Sequence, residues 1–111
     1  MPRDSRVYLD DILEATRKIT VYTGSLSKAA FLEDEKTLDA VVRNLEVIGE
    51  AVKKLPENLR AKHSAVEWKK IAGLRDILIH EYFGLDAEIV WDIVQNKVPA
   101  LDREVRTMLN E

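Results

Sequence analysis

The stretch AVVRNLEVIGEAVKKLP, residues 40–56, decides the fold class of this chain. Its apolar residues recur at intervals of three and four, which places them along one face of an α-helix. The full stripe comprises Leu38, Val41, Val42, Leu45, Ile48, Val52 and Leu55. Pro56 should end this helix, because a proline lacks the backbone N–H and clashes with the preceding turn. Gly49 is costly inside a helix, which indicates close approach by a second helix.

The chain before this stretch shows the same helical spacing. A first helix is predicted from about residue 5 to Gly24, followed by a single turn at residues 29–32. The apolar face of the first helix comprises Tyr8, Ile12, Ala15, Ile19 and Tyr22.

Capping residues predict the helices that follow Pro56. Ser64 with Glu67 three residues later forms a capping box, so a helix should begin just after Ser64 and run to Gly84. Asp86 is a good N-cap for the last helical segment. Pro99 either kinks that segment or begins a new helix.

These patterns predict one all-α domain spanning residues 1–111, an up-and-down bundle of four main helices joined by short turns. The chain has no cysteine, which excludes a disulfide framework, a thiol nucleophile and a cysteine-type zinc site. Two histidines are too few for a histidine-rich metal site, so no metal and no cofactor are expected. No run of 18 apolar residues and no apolar leader segment occur, so we expect a cytoplasmic protein with no membrane partner.

The charge is unevenly distributed along the chain. The net charge is −3, yet residues 53–75 carry seven Lys and Arg against two Glu, a net of +5, which leaves −8 for the rest. A solvated helical face is the common explanation of such a run. Lys69 and Lys70 are also candidates for contacts with an RNA backbone.

Three polar side chains interrupt the apolar pattern of GLRDILIHEYFG, residues 73–84. On a helix that turns about 100° per residue, Arg75 and Tyr82 lie about 20° apart. His80 points about 140° away from Arg75 and lies about 7.5 Å further along the axis. Arg75 and His80 can therefore act on one atom only if the helix distorts or a second copy supplies the partner, as a two-fold homodimer would. Asp76, four residues before His80, shares its face and can hydrogen-bond to it.

The chemistry of these residues suits cleavage of RNA without a metal. His80 can move a proton during attack by the ribose 2′-hydroxyl, and Arg75 can stabilise charge on the phosphoryl oxygens. The spacing alone is more typical of a histidine and an aspartate that pair on a helix surface, and the geometry by itself leaves the question open.

The segment RDILIHEY resembles the Arg-x4-His-x-Tyr signature of HEPN-domain ribonuclease toxins of the HepT type. Residues 40–56, with Ile-Gly-Glu-Ala at 48–51, resemble the family's second helix. Residues 68–86 resemble its motif helix, and residues 89–101 its closing helix. The resemblance thus covers about residues 5 to 105, and the ordered set of three blocks is specific.

The resemblance implies a small all-α homodimer that acts as a metal-independent endoribonuclease toxin. It also implies a cognate minimal nucleotidyltransferase antitoxin of the MntA type, which transfers AMP to the motif tyrosine. Carried over by position, Arg75 and His80 are catalytic, Tyr82 is the AMPylation target, and Asp76 orients Arg75 or His80.

Outside the motif, two charged residues on the second helix have two interpretations. Arg43 and Glu50 are seven residues apart and form an intrahelical charge ladder, or Glu50 reaches the motif helix and holds Arg75 in place. His63 is predicted in a loop, and Trp68 and Trp91 in the core.

Two alternative functions compete with the ribonuclease. One is a non-catalytic nucleotide-binding or regulatory helical subunit of a nucleotidyltransferase complex, which the overall acidity slightly favours. The other is a plain helical scaffold, in which the polar residues of the motif are incidental.

Overall fold

The computed structural model describes residues 4–74 and 86–111, and these two ranges contain seven α-helices and no β-strand. The predicted all-α class is confirmed. In chain order the helices are α1 (Ser5–Thr23), α2 (Lys28–Glu33), α3 (Glu35–Lys53), α4 (Glu57–Ala61), α5 (Trp68–Ala72), α6 (Ala87–Asn96) and α7 (Val98–Leu109).

The core lies between α1, α3 and the C-terminal helices. Helix α1 packs along most of α3 and also contacts α7, while α2 and α5 pack on α3, and α6 packs on α7. The predicted stripe of α3 is buried apart from Leu38, which is half-buried. The fully buried side chains at the centre include Ile12, Ile19, Phe31, Val41, Leu45, Ile48, Val52, Val90 and Val105.

Side-chain caps start α1 and α2 close to the predicted helix starts. Asp4 accepts a hydrogen bond from the backbone N–H of Arg6 at the start of α1. The predicted single turn is the short helix α2, which Ser27 caps. Its Phe31 is fully buried and packs on Trp91 of α6, with ring centroids 5.1 Å apart. This ring contact fixes α2 and α6 to each other.

The C-terminal helices follow the prediction and settle the alternative at Pro99. Asp86 caps α6 by accepting from the N–H of Glu88 at 2.8 Å. Helix α6 ends at Asn96, and Pro99 lies in the first turn of a separate helix, α7. Proline therefore begins a new helix here.

The predicted capping box at Ser64 is wrong. Helix α5 begins at Trp68, with Glu67 as an N-cap residue whose side chain makes no capping bond. The preceding residues form turns in which the His63 carbonyl accepts from the N–H of Val66 at 3.2 Å and from the Trp68 indole Nε1 at 2.9 Å. Since both Trp68 and His63 are buried, tertiary packing overrides the local helix signal. The predicted end of this helix at Gly84 lies outside the described residues, and α4 was not predicted.

Candidate active site

The four motif residues, Arg75, Asp76, His80 and Tyr82, lie outside the described residues. The described chain enters the motif through Leu74 and continues after it from Asp86. The structure therefore defines the helices on either side of the motif, and the roles predicted for the four side chains stay predictions.

Helix α5 leads into the motif from a well-anchored position on α3. Trp68 is buried, and its indole N–H is satisfied by the carbonyl of His63. Further along, Ile71, Ala72 and Leu74 are half-buried and pack against the core. Because Leu74 is held by this packing, the backbone that precedes Arg75 has a fixed starting point.

The two lysines predicted to contact RNA differ in their ion pairing. Both are exposed on α5, but Lys70 Nζ lies 2.7 Å from Glu67 Oε2. The other oxygen of that carboxylate, Oε1, accepts from Lys97 Nζ at 3.2 Å. The hydrogen bonds from Lys70 and Lys97 lower the pKa of Glu67, and the bond to Glu67 raises the pKa of Lys70. Lys69 makes no ion pair with any residue in the described ranges, so it is the more available cation for a phosphate.

An apolar groove, here named the α5–α7 groove, runs between α5 and the junction of α6 with α7. Its volume is about 720 Å³. The aliphatic side chains that line it include Val66, Ile71, Leu74, Ile93 and Leu101. Of the charged residues in the described ranges, three lysines, Lys69, Lys70 and Lys97, line it together with one carboxylate, that of Glu67. The groove therefore has an aliphatic floor and a predominantly positive rim, and it includes the residue directly before Arg75.

Arg43 is not among the described residues that line the α5–α7 groove. It lines a cavity of about 430 Å³ between α1 and α3, together with Asp11, Glu14, Lys18 and Tyr22. This cavity shares no lining residue with the α5–α7 groove. Glu50 is exposed two turns further along α3. The predicted support of Arg75 by Glu50 stays a prediction.

His63 was correctly predicted in a loop, but its burial and its contacts were not predicted. Its Nδ1 lies 2.6 Å from Glu104 Oε1 of α7. Its Nε2 lies 2.7 Å from Glu111 Oε1, an ion-pair contact that does not meet hydrogen-bond geometry. No sequence signal joins these residues, because 41 residues separate His63 from Glu104.

The described ranges contain no cluster of three or more His, Asp or Glu side chains placed to hold a metal ion. In the same ranges, no helix combines the length and apolar character needed to cross a membrane.

Comparison with known proteins decides the family. Residues 12–108 match the family model described as "Ribonuclease HepT-like". The chain belongs to the HepT-like ribonuclease family. This membership agrees with the all-α fold and with the resemblance of the Arg75 to Tyr82 motif.

Relatives in three organisms carry ribonuclease names. The chain is 50% identical over 112 residues to "Putative RNase MJ0127" of Methanocaldococcus jannaschii, and this alignment covers all of this chain and 93% of that protein. It is 43% identical over 106 residues to "Putative RNase TTE0752" of Caldanaerobacter subterraneus subsp. tengcongensis, covering 96% and 95%. It is 42% identical over 101 residues to "Probable ribonuclease HepT" of Thermococcus cleftensis, covering 91% and 92%. No solved structure matches the chain significantly.

Proposed function

We propose that this HepT-like ribonuclease is a metal-independent endoribonuclease and the toxin of a toxin–antitoxin pair. One observation carries the proposal: the family match over residues 12–108 spans an intact Arg-x4-His-x-Tyr set, Arg75, His80 and Tyr82. Histidine is the side chain that exchanges protons near neutral pH, and arginine is a fixed cation shaped for phosphate.

In the proposed reaction, His80 takes the proton of a ribose 2′-hydroxyl as its oxygen attacks the adjacent phosphorus. The new bond joins the 2′-oxygen to phosphorus, and the bond from phosphorus to the 5′-oxygen breaks. The departing 5′-oxygen receives a proton, from the protonated His80 or from water, which leaves a 2′,3′-cyclic phosphate and a 5′-hydroxyl. Arg75 pairs with the non-bridging phosphoryl oxygens and stabilises the charge that builds on them.

A homodimer would supply both the Arg75 guanidinium and the His80 imidazole to one phosphate. On a straight helix, Arg75 and His80 point about 140° apart. Two copies related by a two-fold axis place Arg75 of one copy beside His80 of the other, because an isologous interface presents the same patch from both sides. We therefore propose that the active form is a homodimer with the motifs facing a shared cleft.

Regulation through Tyr82 follows from the same site. An antitoxin of the minimal nucleotidyltransferase class would transfer the AMP group of ATP to the Tyr82 oxygen, which loses its proton as the bond to pyrophosphate breaks and pyrophosphate leaves. The product is a bulky phosphodiester whose negative charge lies near Arg75. It would fill the cleft and occupy the cation that binds the RNA phosphate.

The test uses protein purified without any antitoxin, with an intact-mass measurement that establishes an unmodified Tyr82. Wild type, His80→Ala, Arg75→Ala and the matched surface control Arg103→Ala are each incubated with RNA in a metal chelator. We expect cleavage by wild type and Arg103→Ala only, with 2′,3′-cyclic phosphate ends. If the unmodified, folded protein leaves RNA intact but binds nucleotide tightly, the non-catalytic regulatory subunit replaces this proposal.

A further inference from the structure

We propose that the α5–α7 groove is a binding subsite for an unpaired RNA nucleotide next to the cleaved bond. The base would lie on the aliphatic floor, and its phosphate would lie among the lysines of the rim. This inference rests on the proposed ribonuclease function and adds to it the part of the substrate that the described residues recognise.

The position of the groove relative to the motif supports this assignment. Leu74 lines the groove, and one peptide bond joins it to Arg75, with about 3.8 Å between the two Cα atoms. The groove is therefore adjacent in the backbone to the residue proposed to bind the RNA phosphate, and a nucleotide next to that phosphate would be placed to enter it.

The lining of the groove suits a base better than a fully charged group. Val66, Ile71, Ile93 and Leu101 offer an apolar surface, and every nucleobase has an apolar face. Proteins that bind single strands combine a surface for the base faces, usually aromatic, with a positive channel that follows the backbone, and here the described surface is aliphatic. A paired base hides its faces in the stack, so the groove selects unpaired RNA.

The charge at the rim favours a phosphate-bearing strand over an apolar peptide. Among the described lining residues, three lysines face one carboxylate, which leaves an excess of positive charge there. Glu67, at the start of α5, contacts both Lys70 of α5 and Lys97, at the junction of α6 and α7. The contact with Lys97 is the one that joins the two walls of the groove, and Lys69 is left for the phosphate.

Two exposed alanines in the lining permit a test that leaves the core intact. Ala65 and Ala100 both line the groove and both are exposed, so a tryptophan at either position fills the groove without displacing a core side chain. Ala29→Trp on α2 is the matched control, since that alanine is exposed and lies outside the groove. All variants are made in the His80→Ala background, so that binding is measured without cleavage.

The probe is a short single-stranded RNA in which each position in turn lacks its base. For His80→Ala, we expect one abasic position near the cleavage site to weaken binding about tenfold, equivalent to about 1.4 kcal/mol. Adding Ala100→Trp or Ala65→Trp should weaken binding of intact RNA by a similar factor and remove the further effect of that abasic position. Adding Ala29→Trp should change neither the affinity for intact RNA nor the effect of the abasic position.

Three results would overturn the assignment. In the first, no abasic position affects binding. In the second, Ala100→Trp and Ala65→Trp behave like Ala29→Trp. In the third, both groove variants reduce self-association in sedimentation while the abasic effect persists, which would make the groove an interface between copies. Cleavage by wild type in chelator, lost in His80→Ala, tests the ribonuclease function separately from all three.

Discussion

The imidazole Nδ1 of His63 lies 2.6 Å from Oε1 of Glu104, although 41 residues separate them in the chain. The contact joins the turn before α5 to the C-terminal helix α7. The same His63 accepts the indole N–H of Trp68 through its backbone carbonyl. The start of α5, and with it the approach to the motif, is thus held by the last helix of the domain.

Removing the carboxylate of this pair should destabilise the fold. Glu104→Ala leaves a buried imidazole nitrogen without its partner, and we expect a loss of about 2 kcal/mol in the free energy of unfolding. Urea unfolding followed by circular dichroism measures it, with the exposed neighbour Arg103→Ala as control. Equal urea midpoints for the two variants would show that the pair contributes nothing.

Acid should weaken the link between α1 and α7 at Asp102. This carboxylate accepts from the Thr16 hydroxyl at 2.6 Å and from Arg106 Nε at 2.8 Å. Burial raises the pKa of Asp102, but the hydrogen bonds from Arg106 and Thr16 outweigh burial, so the pKa lies below its usual value. A lowered pKa adds stability at neutral pH, and this stability is lost as the pH falls through the folded-state pKa.

We therefore expect Asp102→Asn to be less stable than wild type at pH 7. The difference should stay constant down to about pH 4, near the pKa of an unfolded aspartate, and shrink below it. Unfolding free energies measured across that range give the comparison. A difference that grows as the pH falls contradicts the assigned direction.

The two lysines of α5 should contribute unequally to the salt dependence of RNA binding. Lys69→Ala removes a cation without an ion pair in the described ranges, so the slope of log K against log salt should fall by about 0.7 for a single strand. Lys70→Ala should change the slope less, because Glu67 already neutralises part of that charge. Lys36→Ala, on the exposed surface of α3, is the control. Equal slopes for Lys69→Ala and Lys36→Ala would exclude Lys69 from the interface.

Truncating Phe31 should cost more stability than any other change on the short helix α2. The ring is fully buried against Trp91, and Phe31→Ala should lower the free energy of unfolding by about 3–5 kcal/mol. Leu32→Ala, at the half-buried neighbouring position, should cost clearly less. Comparable losses at the two positions would mean that the ring contact does not anchor α2.

Glu50 should affect catalysis if it positions Arg75. Glu50→Gln keeps the shape but removes the charge, and we expect kcat to fall about tenfold, or about 1.4 kcal/mol, with KM and the urea midpoint unchanged. Arg43→Gln, which alters the cavity beside α1, should leave kcat unchanged. If Glu50→Gln instead lowers the urea midpoint, and the loss of folded protein accounts for the loss of activity, Glu50 has a structural role only.

The parts of the fold that could be predicted from sequence are those fixed by neighbouring residues. The predicted cap at Asp86 satisfies the backbone N–H of Glu88, two residues away, so a local pattern suffices. The predicted helix start at Ser64 was wrong because the burial of His63 and Trp68 fixes that segment. The partner of the His63 ring, Glu104, lies 41 residues away in the chain.

The same division applies to the candidate site. The motif from Arg75 to Tyr82 is contiguous and was found from its spacing and resemblance. The α5–α7 groove is lined by residues about 30 positions apart, such as Glu67 and Lys97, so no sequence pattern predicts it.

The indole of Trp68 gives the protein a built-in optical reporter. The chain has two tryptophans, and Trp68 is the buried one, seven residues before Arg75. Its emission depends on the hydrogen bond to the His63 carbonyl and on the exclusion of water around the ring. With Trp91 replaced by phenylalanine, a single fluorophore stands at the start of the helix that leads to the motif. Occupation of the neighbouring groove can then be followed in real time, without attaching a dye to the RNA.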